Sequence, residues 1–169
     1  VKCYGSSMAF KARLEKIQGV HGVTVFVKRH SADVLYNPAQ TNPDKIQEAI
    51  FVPSKFRIQT PDPAQTDSIK VVVIRTEGMY DKMDINYLGM QFRLTGKKLY
   101  GIETEFACPL IVRVYMDPSE ELDEDWFEEV VEMEELVMPV HGGGENIIAV
   151  DYKFVELEDA VSYISTEEF

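Results

Sequence analysis

Cysteine is nearly missing from this chain. Cys3 and Cys108 are the two among 169 residues, too few for a disulfide framework, and they leave the redox compartment open. Long apolar runs are missing as well, with nothing near the ~18 residues that a membrane-spanning helix needs. No Gly-x-Ser-x-Gly elbow exists to give "HGGG" (His141 to Gly144) an esterase role, and His21, His30 and His141 stand singly. Without a His/Cys or Ser/His/Asp constellation, the sequence argues against an enzyme. Positive charge is also short: Lys and Arg number 17 against 29 Asp and Glu, a net of −12, which argues against nucleic acid as a partner. Val1 stands where an initiator Met would, so an upstream segment removed from the chain is an open question. Localisation, cytoplasmic or exported, is therefore undecided.

The charge that is present is unevenly placed. Residues 1–60 carry a net of +5 and residues 61–169 a net of −17. Between them "TPDPAQTD" (Thr60 to Asp67) has two prolines and no apolar periodicity, the signature of a linker. We expect a basic domain at 1–60, a linker at 61–67, an acidic domain at 68–157 and a C-terminal tail at 158–169. Most of the acids are expected on solvated helix surface.

In the first half, Phe10, Leu14 and Ile17 recur at helical spacing, and Gly19 is placed to stop the helix. "GVTVFVKRH" alternates with Val23, Val25 and Val27 on one side, as a half-buried strand does, and "ADVLYNP" follows as its hairpin partner. "TNPDKIQEAI" begins with an Asn cap and a Pro at the first helical position, with Ile46, Ala49 and Ile50 on one face. "SKFRIQT" predicts a closing strand. The order is helix, strand, strand, helix, strand, one strand short of βαββαβ.

"CYGSSMAFKARLEKIQGVHGVTVFVKRHSADVLYNPAQTNPDKIQEAI" resembles a heavy-metal-associated (HMA) domain over essentially all of residues 1–60. The resemblance implies a ferredoxin-like fold and a Met-x-Cys-x-x-Cys loop, between the first strand and the first helix, that binds soft ions such as Cu(I) or Zn(II). The matching positions here run Val1, Lys2, Cys3, Tyr4, Gly5, Ser6, so the first thiol is kept at Cys3 and the second is replaced by Ser6. Only Val1 and Lys2 precede Cys3. The first strand is thus truncated, and either residues missing from this chain or another extended segment is expected to fill its place in the sheet.

The second half repeats the plan. "GIETEFACPLIVRVYMDPSEELDEDWFEEVV" parallels "GVHGVTVFVKRHSADVLYNPAQTNPDKIQEAI": Gly-aliphatic, strand, turn, strand, an amide or acid before Pro, then a helix. Pro38 leads Ile46 and Ile50 by the same intervals as Pro118 leads Trp126 and Val130. Upstream, "SIKVVVIRTEGMYDKMD" supplies a first strand and a Gly78-Met79 pair resembling the family's loop start, with Asp81 and Asp84 at the thiol positions. Ile85, Leu88 and Phe92 then mark a helix stopped by Gly96, and "NIIAVDYKFVEL" predicts a last strand. The expectation is an α+β chain of two tandem ferredoxin-like βαββαβ domains with antiparallel sheets, the second a cysteine-free copy. Asp117, Pro118 and Glu120 are expected to cap the second helix of that copy.

Two thiolates at a helix N-terminus make a soft, low-coordinate site, because the helix end favours anions and lowers thiol pKa. With Ser6 in place of one sulfur, Cys3 alone is a weak ligand, and Ser6 is expected as the helix N-cap. Met8 offers a thioether, although a helical Met usually packs. Asp81 and Asp84 suit a hard cation or serve as caps. Cys108 falls in a hairpin turn, away from these loops. Two functions stay open. One is soft-metal binding or trafficking at a degraded site in which a second chain or a protein partner adds a thiolate to Cys3. The other is a metal-independent protein–protein interaction module built on the two folds.

Overall fold

The computed structural model describes residues 4–29, 31–79 and 82–169, with residues 4–6 described by their backbone alone. The chain divides into two compact units, Val1–Val52 and Pro53–Phe169. Both are α+β with antiparallel strands. Among the described residues no helix is long and apolar enough to cross a membrane.

The first unit holds α1 (Tyr4–Leu14), β1 (Val20–Phe26), β2 (Ser31–Tyr36) and α2 (Pro43–Ile50). Leu14, Val23 and Ile46 are its buried centre, ringed by partly buried Phe10, Ile17, Val20, Val25, Ala32, Val34, Tyr36 and Ile50, so the apolar spacing read from the sequence does mark the inward faces. Gly19 has φ +91°, a conformation that costs glycine little, but α1 already ends at Leu14, so Gly19 lies in the turn before β1 and does not stop the helix as its position in the sequence predicts. The carboxamide of Asn42 accepts from the backbone N–H of Lys45 at 2.9 Å, with Pro43 opening α2. β1 and β2 form a two-stranded antiparallel sheet.

The second unit holds β3 (Lys55–Arg57), β4 (Ser68–Glu77), α3 (Lys82–Leu94), β5 (Leu99–Glu105), β6 (Leu110–Met116), α4 (Glu124–Val131), β7 (Glu135–Pro139), β8 (Glu145–Ala149), β9 (Lys153–Leu157) and β10 (Ser162–Ser165). Its main sheet runs β10-β4-β6-β5-β3, and β9 pairs with β4 farther along the same strand. β4 and β5 each begin or follow a helix crossover, so the central order β9-β4-β6-β5 interleaves two split β-α-β units. Ile85, Leu88 and Phe92 of α3, Phe127 and Val131 of α4, and Val72, Ile74, Val112, Val114 and Met116 of the sheet are all essentially inaccessible to water, and the rings of Phe92 and Phe127 meet with centroids 6.2 Å apart. Full burial of such side chains contributes about 1.5–3 kcal/mol each.

Several boundaries differ from expectation. The strand at 54–60 forms at Lys55–Arg57 but pairs with β5 in the second sheet instead of closing the first. Phe56 explains the choice: its ring lies so close to Gly89 of α3 that any Cβ there would overlap it, and Arg93 stacks over the same ring at 5.1 Å. The predicted last strand at 146–157 is divided into β8 and β9, because β8 turns back on β7 through Gly142, Gly143 and Gly144, all with positive φ. The expected tail at 158–169 is ordered as β10 on β4, followed by a turn capped by Ser165.

The two units share local detail. Strand register slips between Val20 and Gly22 in β1 and between Leu99 and Gly101 in β5, in both cases at the far end of the hairpin. This matches Gly22, not Gly19, with Gly101. The carboxamide of Asn37 accepts from Ala39 N–H at 3.0 Å, and the carboxylate of Asp117 accepts from Ser119 N–H at 3.0 Å, so each proline sits in the same side-chain-closed turn. Asp117 therefore closes a turn and does not cap α4, whose N-cap is Asp123. Counted from Asn42 and Asp123, Ile46 matches buried Phe127, one residue past Trp126.

Candidate functional site

Cys3 and Asp81, the first metal candidates of the two loops, lie outside the described residues. α1 begins at Tyr4, so Ser6 is already inside its first turn and is not the N-cap. Met8 is 51% exposed. Asp84 lies in the first turn of α3, and its carboxylate accepts from the Tyr152 hydroxyl at 3.1 Å, a tie to the segment before β9. Cys108 is exposed in the β5–β6 turn, as its position in the sequence predicts. Among the described residues no three His, Cys, Asp or Glu side chains converge on a point that could hold a metal.

A sharper asymmetry lies on β2. Aligning Pro38 with Pro118 pairs Tyr36 with Met116, Val34 with Val114 and Ala32 with Val112. In the second unit all three are buried at 0% exposure, because β4 lies along the outer edge of β6 and closes the sheet over them. In the first unit Ala32, Val34 and Tyr36 remain partly exposed. Among the described residues no strand pairs with the outer edge of β2. Leu35, on its opposite face, is 68% exposed. An unpaired strand edge flanked by half-covered apolar side chains is a template for another strand.

No family model matches the chain, and no curated protein or solved structure matches it either. Its function must be read from its own geometry.

The second unit surrounds Asp117 with polar groups that the sequence did not single out. The Tyr100 hydroxyl donates to the Asp117 carboxylate at 2.7 Å, and Ser119 donates to the same carboxylate through its hydroxyl at 2.5 Å. The Ser119 hydroxyl, followed by that of Tyr100, holds Asp117 below the ordinary carboxylate range, while burial pushes Tyr100 well above the usual phenol value. An open cleft of about 670 Å3 adjoins them, lined by Gln65, Asp67, Lys98, Asp117 and Ser119. On the sheet face away from the helices, the Tyr115 hydroxyl donates to Glu103 at 2.8 Å, Lys55 pairs with Glu103 at 3.2 Å, and Arg113 pairs with Glu105. Asp117 has one oxygen taken by its own turn and the other by Tyr100 of β5, and the surface charges pair off locally. Such a set orders the backbone around the turn and the strand ends. These contacts join residues from different strands, so no local spacing in the sequence announces them.

Proposed function

We propose that this chain is a metal-independent protein–protein interaction module built on two copies of a ferredoxin-like plan, of which the second is complete and the first is open. The observation that carries this reading is the contrast between Val112, Val114 and Met116, sealed under β4, and Ala32, Val34 and Tyr36, half-covered beside an unpaired edge. The ferredoxin-like reading is supported by the order β9-β4-β6-β5 with α3 and α4 as crossovers, and by the bulge, proline turn and capped eight-residue helix that recur in the first unit. A module of this kind binds by lending its edge and its uncovered core to a partner. Immobilised chain should retain a protein partner in the presence of a chelator, and Val34→Asp should lose it while the Trp126 fluorescence of the second unit is unchanged. Retention that needs added Cu(I) or Zn(II) and vanishes in Cys3→Ser would overturn this reading.

That contrary outcome belongs to a second reading, soft-metal binding or trafficking at Cys3. It is favoured by α1, an eleven-residue helix that starts at Tyr4, directly after Cys3 in the sequence. A helix start stabilises a thiolate near it. A single thiolate underfills a two-coordinate soft ion, so the second sulfur would come from another chain or a partner. Metal affinity would then rise with protein concentration and be lost in Cys3→Ser but not in Cys108→Ser.

A further inference from the structure

Among the described residues no strand lies along the outer edge of β2, and the second unit shows the chemistry of the strand that fills the matching place. β4 runs antiparallel to β6 and sets Ile74 opposite Val112, Val72 opposite Val114 and Lys70 opposite Met116. Val72 and Ile74 are buried at 0% exposure, so these two positions are where the incoming strand seals the core. Carried over to β2, the same pairing puts apolar residues of an incoming strand opposite Val34 and Ala32. The next position out, opposite Leu35, corresponds to Val71 of β4. An antiparallel neighbour must finish at the end of the sheet where β2 starts. That end carries Lys28 and Arg29, both exposed, in the turn between β1 and β2. Residues 1–52 as a whole carry a net charge of +3. β4 itself ends in Glu77.

We propose that the outer edge of β2 is a docking groove for an extended peptide segment that pairs antiparallel with Ser31–Tyr36, is apolar at alternate positions, and ends in an acidic residue beside Lys28 and Arg29. This rests on the interaction-module reading and adds the partner's chemistry to it. Main-chain pairing with the edge supplies the contact, the alternate apolar side chains supply selectivity by completing the cover over Ala32, Val34 and Tyr36, and the terminal acid fixes direction. A strand running the other way would carry its acid to the Tyr36 end, away from both cations.

The probe is a fluorescent peptide with the sequence of this chain's own Ser68–Glu77, titrated into the full chain and followed by anisotropy and by amide hydrogen exchange. Binding should saturate at one peptide per chain and slow exchange at Ser31–Tyr36. A proline at the peptide's Val72 position should weaken binding at least about tenfold, because the Val73 carbonyl accepts from Glu158 on the far side of β4 and the groups of Val72 face β6, so proline at Val72 removes a donor to the edge. A Glu77→Lys peptide should bind about two- to five-fold more weakly, the scale of an exposed charge pair. That loss should be recovered when the chain carries Lys28→Glu with Arg29→Glu, a rescue that a merely misfolded variant cannot give. No saturable binding, or protection at Leu110–Met116 in place of Ser31–Tyr36, would overturn the proposal. So would protection at Ser31–Tyr36 that rises with protein concentration without peptide, which would make a second copy the occupant. If the peptide fails while immobilised chain still retains a partner through Val34, the peptide chemistry is wrong and the interaction reading stands. If both fail, both fall.

Discussion

Tyr115 holds its phenol on the open sheet face, where burial and then the hydrogen bond to Glu103 push its pKa up to about 12. An unfolded tyrosine ionises near pH ~10. The folded phenol therefore contributes stability that is fully present below pH ~10 and is lost as pH rises toward about 12. Tyr115→Phe should flatten the alkaline limb of a thermal-unfolding profile over that window, and solvent screening of this partly exposed pair keeps its neutral-pH cost within ~1 kcal/mol. Identical alkaline limbs would show that the pair does not matter. Thr76 poses the opposite case. Its hydroxyl is buried at 0% exposure with no hydrogen-bond partner among the described residues, so Thr76→Val, which keeps the shape and removes the stranded polar atom, should raise stability by about 1 kcal/mol in urea unfolding.

Among the elements, β3 is the one whose partner the sequence could not announce. Alternation in "SKFRIQT" predicts a strand and says nothing about which sheet receives it, because period-2 patterning fixes faces and not neighbours. The decision rests on Phe56 meeting the bare backbone of Gly89, a contact across more than thirty positions. Gly89→Ala should force the ring away, cost about 1–3 kcal/mol as an overpacked core does, and speed exchange at Lys55–Arg57 while leaving β1 and β2 unchanged. Where the signal is local, the sequence was enough: Val23, Leu14 and Ile46 face the first core, Ile85, Leu88 and Phe92 the second, and Asn42 caps α2 as its side chain dictates. Asp117 misled because Asx-Pro reads equally as a cap or a turn, and its oxygens are taken by Ser119 and Tyr100. Of the metal candidates, Cys3 and Asp81 fall outside the described residues, and Asp84 is tied to Tyr152 through a contact 68 residues apart in sequence.

For the whole molecule, the account reduces to one contrast between the two units: the second sets β6 between β4 and β5, and among the described residues β2 of the first has a neighbour on one side alone. The separation of charge follows the same division, with +3 on residues 1–52 and −15 on residues 53–169. That difference bears on which partners each half attracts rather than on fold. Backbone amides in a strand flanked on both sides open only through large-scale unfolding, whereas those on a free edge exchange through small local motions. Residue-resolved hydrogen exchange on the unliganded chain at low concentration tests this directly. The outward-pointing amides within Ser31–Tyr36 should exchange orders of magnitude faster than the amides of Leu110–Met116, which lie between β4 and β5. Uniform protection of Ser31–Tyr36 at the level of Leu110–Met116 would mean that the edge of β2 is already filled, and it would contradict the account.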